Sequence, residues 1–171
     1  MQISTRTYPT DGYPDTKRGR SVRRHHLKTH GDWTFPPEAN YWDASELAGF
    51  TRVPTRTLSQ IRTGPDQLVF TRRGYGFEYV PADIRAWLNR VRVLPTDGTA
   101  ELVGVPYDVD LRRKLLTPEG AARFFRLPAS TLGSWRTRGK GPVYYRITPR
   151  TVRYAPGDLE HWVDSGASSY Q

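Results

Sequence analysis

The sequence contains no cysteine and a single methionine. The absence of cysteine excludes disulfide bonds, thiolate metal sites and cysteine nucleophiles. No apolar run approaches the roughly 20 residues that a membrane-spanning helix requires. The N-terminal residues 1–10 also lack the apolar stretch of a secretory signal. These absences predict a cytoplasmic protein that does not associate with membranes.

Signatures of common enzyme active sites are absent as well. The chain has no glycine-rich phosphate-binding loop, no HExxH motif and no GxSxG motif. Its carboxylates show no spacing typical of an acid–base pair. His25, His26 and His30 are close in sequence, but they lie in a strongly basic segment where phosphate contacts are favoured over metal ligation. We therefore expect no enzymatic activity, no cofactor and no bound metal ion.

Lysine and the acidic residues are few compared with arginine. The chain has 26 Lys and Arg residues against 17 Asp and Glu residues, a formal net charge of +9, and 22 of the basic residues are arginine. Such an excess favours a polyanionic partner, either nucleic acid or an anionic membrane surface. Guanidinium groups suit bidentate contacts to phosphate and guanine. A GC-rich genome would also raise the arginine content, so the positions of the arginines have to distinguish the two explanations.

Residues 1–39 differ in composition from the rest of the chain. Six of the twelve residues from Lys17 to Lys28 are Lys or Arg, and few are apolar. Apolar burial therefore cannot balance the entropy lost on folding, which predicts a flexible basic arm that becomes ordered on a partner. The alternative is a solvated tail without a role. The arm has no amphipathic apolar face or myristoylation start, which favours DNA over a membrane. Its candidate DNA contacts are Lys17, Arg18, Arg20, Arg23 and Arg24.

From residue 40 onward the sequence repeats itself. Residues 43–58 align with residues 117–132 at an offset of 74. After one inserted residue, 79–88 aligns with 154–163, and both segments have the pattern Tyr-x-Pro-x-Asp-(Ile/Leu)-x-x-Trp-(Leu/Val). Chance does not explain a shared pattern of this length, so we predict two similar small domains.

The predicted domain boundaries follow from this repeat. The two domains comprise residues 40–92 and 114–165, and residues 166–171 form a tail. Residues 93–113 are long for a connection inside one compact domain, which predicts a linker. The apolar run at 102–105 would add a short strand to one of the domains.

Each repeat is predicted to form two short helices, a β-hairpin and a closing helix. In the second repeat, Thr117-Pro118 has the residues of a helix N-terminus, and Pro128 opens a second helix after a tight turn. Residues 143–147 and 151–154 are rich in aromatic and β-branched residues, which predicts a hairpin. Pro156 begins the closing helix.

The first repeat follows the same order with different residues. Asp43 and Glu46 have the spacing of a capping box at the start of its first helix. Its hairpin is predicted to comprise residues 68–71 and 76–80, with residues 72–75 at the tip.

Five short segments of the second repeat carry a family resemblance. They are LTPEGAA (116–122), STLGSW (130–135), GKGP (139–142), VRY (152–154) and DLEHW (158–162). Together they resemble the winged helix-turn-helix of the excisionase-like and MerR-like DNA-binding families. The first repeat resembles these families through its symmetry with the second. The resemblance implies an α+β fold, mainly α, with two tandem winged helix-turn-helix domains that bind double-stranded DNA.

Candidate contacts follow from how a helix-turn-helix docks. The N-terminal part of its second helix enters the major groove, and wing arginines suit the minor groove or its phosphates. The alternatives are a solvated helix face and protection of an edge strand by charge. The candidates on the helices are Thr55, Arg56, Ser59, Gln60 and Arg62 in the first repeat, and Ser130, Thr131, Ser134, Arg136 and Arg138 in the second. The candidates on the wings are Arg72, Arg73, Arg146, Arg150 and Arg153.

We expect a covalent tandem of this kind to act on DNA as a monomer that mimics a dimer, or in a higher assembly. Because the two reading helices differ at nearly every outward position, we expect an asymmetric bipartite site with halves about one helical turn apart. The first hypothesis is a nucleoid-associated transcriptional regulator of phage, plasmid or other mobile-element type. One alternative is an excisionase-like or partition-type DNA-bending factor that acts with a recombinase, a partition protein or a polymerase. The other is a protein–protein adaptor in which only one domain binds DNA.

Overall fold

The computed structural model describes residues 41–97 and 108–166. The predicted basic arm, with Lys17, Arg18, Arg20, Arg23 and Arg24, lies outside the described residues, as does the predicted strand at 102–105. The described residues form an α+β structure with six α-helices and two three-stranded antiparallel sheets. Among these helices, none is long and apolar enough to cross a membrane.

The helices and strands follow one another in the predicted order within each repeat. The first repeat contains β1 (Trp42–Asp43), α1 (Ala44–Thr51), a 3-10 helix (Thr55–Thr57), α2 (Leu58–Thr63), β2 (Thr71–Arg73), β3 (Gly76–Tyr79), α3 (Pro81–Val91) and β4 (Arg92–Val93). The second contains α4 (Pro118–Phe124), α5 (Ala129–Thr137), β5 (Tyr144–Thr148), β6 (Thr151–Arg153) and α6 (Pro156–Asp164).

Side-chain caps start the first helix of each repeat. The Asp43 carboxylate accepts hydrogen bonds from the backbone N–H groups of Ser45 (2.7 Å) and Glu46 (2.9 Å), and Glu46 Oε2 accepts one from the Asp43 N–H (2.7 Å). Thr117 Oγ1 accepts a hydrogen bond from the Gly120 N–H (3.2 Å). These contacts satisfy donors that the first turn of a helix leaves unpaired. The predicted capping box is confirmed.

The turn after the first helix has the same backbone geometry in both repeats. Arg52 and Arg126, which the offset of 74 aligns, are both left-handed, with φ of 52° and 55°. The next residue, Val53 or Leu127, donates its N–H to the carbonyl five residues earlier, at 3.2 and 2.9 Å. A left-handed residue is costly for any side chain other than glycine. The internal repeat therefore extends to a strained backbone position.

Each hairpin has an additional strand that the sequence patterns do not reveal. The sheet orders are β1-β3-β2 and β4-β5-β6, and β1 pairs with β3 so that Trp42 lies opposite Tyr79. In the second repeat, the bridge between Leu116 and Tyr154 occupies the equivalent position. The added strands β1 and β4 have two residues each, which is too short to show an alternating pattern.

The predicted four-residue tip of the first hairpin is wrong, because the turn contains only two residues. Strand β2 extends through Arg73, which lies opposite Gly76, so that only Gly74 and Tyr75 form the tip. Gly74 has a φ of 57°, and a glycine tolerates the left-handed conformation of a two-residue turn without strain. Arg72 and Arg73 therefore belong to a strand and not to the loop.

The two repeats pack against each other around a shared apolar core. One hydrophobic cluster contains Phe50 and Trp87 of the first repeat together with Tyr145 and Trp162 of the second. Val109 and Leu111, from the segment between the repeats, are buried in the same cluster, as is Leu115 at the start of the second repeat. Helices α2 and α3 both contact strand β5, and β4, which directly follows α3, pairs with β5. The described part of the predicted linker therefore joins the repeats by packing.

Candidate nucleic-acid interface

The second helical segment of the first repeat presents polar side chains to solvent. Thr55, Arg56, Ser59 and Gln60 are exposed, while the apolar residues of α2 are buried. Ser59 Oγ donates a hydrogen bond to the Arg56 carbonyl (2.9 Å). The i, i+4 spacing of Arg56 and Gln60 predicts that both lie on one helical face. In the structure Arg56 lies in the 3-10 helix and Gln60 in α2, which directly follows it. All four side chains remain accessible to a ligand.

The equivalent helix of the second repeat, α5, presents smaller side chains. Ser130 and Arg138 are exposed, whereas Thr131 and Ser134 are half-buried. The Thr131 N–H donates to the Pro128 carbonyl (3.0 Å) in the first turn. Arg138 directly follows the helix and caps its C-terminal end with its backbone. This face allows close approach of a ligand but offers few strong hydrogen-bond donors.

Arg62 and Arg136, aligned by the repeat, make the same internal contact. Arg62 Nη1 donates to the hydroxyl oxygen of Tyr79 (2.8 Å), and Arg136 Nη1 donates to that of Tyr154 (2.6 Å). Both tyrosines are fully buried; Tyr79 ends the second strand of its hairpin, and Tyr154 directly follows the second strand of the other. The Arg62 guanidinium also lies 3.9 Å from the centroid of the Phe77 ring. The structure thus uses these two predicted DNA contacts to hold the helix against the hairpin.

Burial raises the pKa of Tyr79 and Tyr154 above the ordinary tyrosine value, although the hydrogen bond from Arg62 or Arg136 acts in the opposite direction. A tyrosine with a raised folded-state pKa contributes stability that is present below about pH 10 and is lost as the pH rises through the folded value. We expect thermal unfolding between pH 8 and pH 11 to show a steeper loss of stability for the wild type than for the Y79F/Y154F variant. At pH 8 the variant should itself be less stable, by about 1 kcal/mol for each lost hydrogen bond. Parallel pH profiles for the two proteins would contradict the assignment.

Arg153 connects the two repeats. Its Nε donates to the Thr51 carbonyl (2.8 Å) and its Nη2 to the Arg52 carbonyl (2.5 Å). These carbonyls belong to the C-terminal end of α1, where a cation is favourable. Burial lowers the pKa of Arg153, with the Glu119 carboxylate opposing that shift and Arg52 adding to it. This predicted wing contact therefore fixes the second hairpin against the first repeat.

Of the four remaining wing arginines, Arg73 makes contacts within the protein and the other three are exposed. Arg73 Nε lies 3.1 Å from Glu78 Oε2, and the Arg73 guanidinium lies 5.2 Å from the centroid of the Tyr41 ring. The exposed wing arginines are Arg72, Arg146 and Arg150. Arg150 is in the two-residue turn between β5 and β6.

Helix α2 of the first repeat and the hairpin of the second repeat lie side by side. Gln60 of α2 and Arg146 and Pro149 of the second hairpin line one cleft with a volume of about 230 Å³, to which Asp66 contributes a carboxylate. Gln60, Arg146 and Pro149 line this cleft, and Arg56 and Arg150 are the exposed arginines nearest to them in sequence. We call these five exposed residues the composite surface. The structure thus brings together predicted contacts from different repeats.

Arg52 and Arg126 are exposed cations that are not among the DNA contacts predicted from the sequence. They lie in the left-handed turn before each reading helix. The signal that identifies them is the repeat itself, since the offset of 74 aligns an arginine with an arginine at this position. Phosphate contacts are common next to a helix that enters a groove.

A buried charge pair fixes the arrangement of the repeats beneath this surface. Asp158, in the first turn of α6, is fully buried, and its Oδ2 accepts a hydrogen bond from the Tyr145 hydroxyl (2.5 Å). Arg92 Nη2, from strand β4, lies 3.3 Å from Asp158 Oδ1. Burial raises the pKa of Asp158, while Tyr145 and Arg92 act to lower it. The pair joins the end of the first repeat to the last helix of the second.

Within residues 41–97 and 108–166, no cluster of His, Asp and Glu side chains is arranged to hold a metal ion. The chain matches no protein-family model, no curated protein and no solved structure.

Proposed function

We propose that this chain is a sequence-specific double-stranded DNA-binding protein with two packed winged helix-turn-helix repeats. The observation that carries the proposal is the equivalent turn at Arg52 and Arg126, followed in each repeat by a helix with exposed polar residues. The hairpin after each reading helix takes the place of a wing. A net charge of +9 supplies the electrostatic attraction that DNA binding requires.

The composite surface supports direct readout by the first repeat. Arg56 has the donors to contact guanine in a bidentate manner, and Gln60 has the donor and acceptor that suit adenine. Arg146 and Arg150, from the neighbouring hairpin, are placed to contact phosphates and hold the register. The role we propose is that of a nucleoid-associated transcriptional regulator.

The polar character of the reading helices favours DNA over a protein adaptor. An adaptor would replace the outward positions of one helix by an apolar patch, whereas those of α2 and the preceding turn are Thr, Arg, Ser and Gln. The exposed large apolar residues of the described chain lie elsewhere: Tyr75, Leu94, Phe124 and Val163.

A DNA-bending architectural factor, acting with a recombinase, a partition protein or a polymerase, is the second candidate. The observation that favours it is the fully exposed ring of Tyr75 at the tip of the first hairpin, since apolar wedges on minor-groove proteins bend DNA.

Selection of bound duplexes from a random-sequence library with the full chain is expected to recover a long asymmetric motif. The aligned outward positions differ, because Arg56 and Gln60 correspond to Ser130 and Ser134. The packed repeats hold the two reading helices at one distance, so both halves of the motif should occur at a single spacing. A perfect palindrome, or no enrichment of any duplex, would contradict the proposal.

The affinity for the selected duplex is expected to depend strongly on salt. If about 6–8 phosphates are neutralised, a plot of log K against log salt concentration has a slope of roughly −5 to −7. Fluorescence anisotropy with a labelled duplex measures this slope. A slope near zero would show that the basic surface does not face the phosphates.

A further inference from the structure

Tyr75 projects from the end of the first hairpin into solvent. Its relative exposure is 105%, and Gly74 supplies the left-handed residue that lets the chain turn beside it. The other aromatic residues of this hairpin pack against the protein, since Phe70 and Phe77 meet edge to face at 5.3 Å and Tyr79 is buried. Tyr75 differs from them in having its whole ring available to a ligand.

The hairpin that carries this ring is braced next to its turn. The ion pair between Arg73 and Glu78 (3.1 Å) crosses the two strands, and the Arg73 guanidinium lies over the ring of Tyr41. The Arg62 guanidinium lies 3.9 Å from the centroid of the Phe77 ring on the adjacent strand. A stiff hairpin positions an exposed ring at low entropic cost, because the backbone is already fixed before the ligand binds.

The charges around the tip favour DNA as the ligand of this ring. Arg72 is exposed two residues before Gly74, and the Glu78 carboxylate is paired with Arg73. An exposed cation and an exposed aromatic ring on one hairpin suit the minor groove, where arginine binds the negative potential and an apolar side chain wedges into a base step.

The second hairpin lacks a ring at the equivalent place. Its two-residue turn consists of Pro149 and Arg150, both exposed. An arginine at a tip contacts phosphate or the groove floor without unstacking bases. The two wings therefore carry different chemistry, aromatic in the first repeat and cationic in the second.

We propose that Tyr75 is a wedge residue that enters the minor groove, partly unstacks one base step and bends the duplex away from the first hairpin. The proposal rests on the proposed function, and it deepens that function by assigning DNA deformation to one hairpin. Arg150 of the second hairpin then holds the neighbouring backbone. The assembly would therefore bend its site asymmetrically.

The test compares the full-length wild type with the Y75A and Y75F variants on a relaxed closed-circular plasmid treated with topoisomerase I. Partial insertion of a ring unwinds DNA, so wild type and Y75F are expected to shift the linking number. Y75A is expected to lose this shift while it still binds the plasmid, because the basic contacts remain. Because the side chain is fully exposed, all three proteins should unfold at the same temperature.

The bend itself is measured by energy transfer between dyes at the two ends of the duplex recovered by selection. Y75A should bind that duplex with a reduced bend, and an R150A variant should bind more weakly but keep the bend. If wild type and Y75A unwind and bend DNA equally, the wedge proposal is overturned and DNA binding stands. If the wild type binds no DNA, both proposals fail. If Y75A bends DNA normally but loses a protein partner, the ring belongs to a protein interface and the wedge proposal is again overturned.

Discussion

Replacing Arg92 by methionine is expected to lower the free energy of unfolding by about 3–5 kcal/mol at neutral pH. Arg92 lies beside Asp158, whose side chain is fully buried, and the Arg92 side chain is itself only 8% exposed. Methionine keeps much of the apolar stem but removes the charge, so the Asp158 carboxylate would be left buried with the hydrogen bond from the Tyr145 hydroxyl but without the adjacent guanidinium. A buried charge without its partner is among the most destabilising features of a protein interior.

The loss should depend on pH in a defined direction. Burial raises the pKa of Asp158, and removal of Arg92 takes away a charge that opposes this effect. A carboxyl group with a raised folded-state pKa contributes most below its unfolded value of about 3.9, and the contribution is lost as the pH rises through the folded value. Urea denaturation of R92M should therefore show a smaller loss of stability at pH 5 than at pH 7.5.

An R112M variant is the matched control. Arg112 also pairs with an aspartate, since its Nε lies 2.8 Å from Asp110 Oδ1, but its side chain is 64% exposed. Water screens such a pair, and its removal should leave the urea midpoint nearly unchanged. Equal losses for R92M at both pH values would indicate that Arg92 acts through packing and not through the charge on Asp158.

Local sequence signals predict much of the fold because they act within a few residues. The Asp43–Glu46 capping box and the Thr117 cap depend on side chains that reach a backbone three residues away. Pro54 and Pro128 are the N-cap residues of the 3-10 helix and of α5, where each has an extended backbone. The second hairpin follows from residues rich in aromatic and β-branched side chains.

The packing of the two repeats could not be predicted in the same way. It depends on residues such as Val109 and Leu111, which lie in a segment with no periodic pattern but are buried in the shared core. The strands β1 and β4 form only because a hairpin edge is close in space, and two residues carry no alternation of their own. Contacts between distant segments decide both features.

In the candidate site, some predicted arginines are exposed as expected, whereas others make contacts within the protein that the sequence does not reveal. Arg62, Arg136 and Arg153 have the same local surroundings in sequence as the exposed arginines, but each finds an oxygen on a distant segment. The repeat contains information on this point. Arg62 and Arg136 are aligned with each other, as are their partners Tyr79 and Tyr154, whereas the outward helix positions differ. For this pair, identity between the repeats marks an internal contact, whereas the helix positions proposed to read DNA differ.

Removing the three arginines of the composite surface is expected to have the largest effect on DNA binding. The triple substitution R56A/R146A/R150A removes three exposed guanidinium groups that come from both repeats. Each contact to DNA is worth about 1 kcal/mol or more, so the affinity for the selected duplex should fall on the order of 100-fold or more. The slope of log K against log salt should become shallower by about 3 if all three contact phosphates, and by less if Arg56 contacts a base.

A triple variant with the same change in net charge separates local contacts from long-range attraction. In R85A/R112A/R113A none of the three arginines lines the cleft, and each already pairs with a carboxylate: Asp108 at 3.3 Å, Asp110 at 2.8 Å and Glu160 at 2.6 Å. Loss of these three charges weakens the attraction of DNA but removes no proposed contact, so the decrease in affinity should stay below about tenfold. Equal effects of the two variants, with both proteins folded by circular dichroism, would show that net charge and not the composite surface determines binding. A larger effect of R56A/R146A/R150A would establish that one binding surface is assembled from both repeats, because neither repeat alone supplies all three arginines.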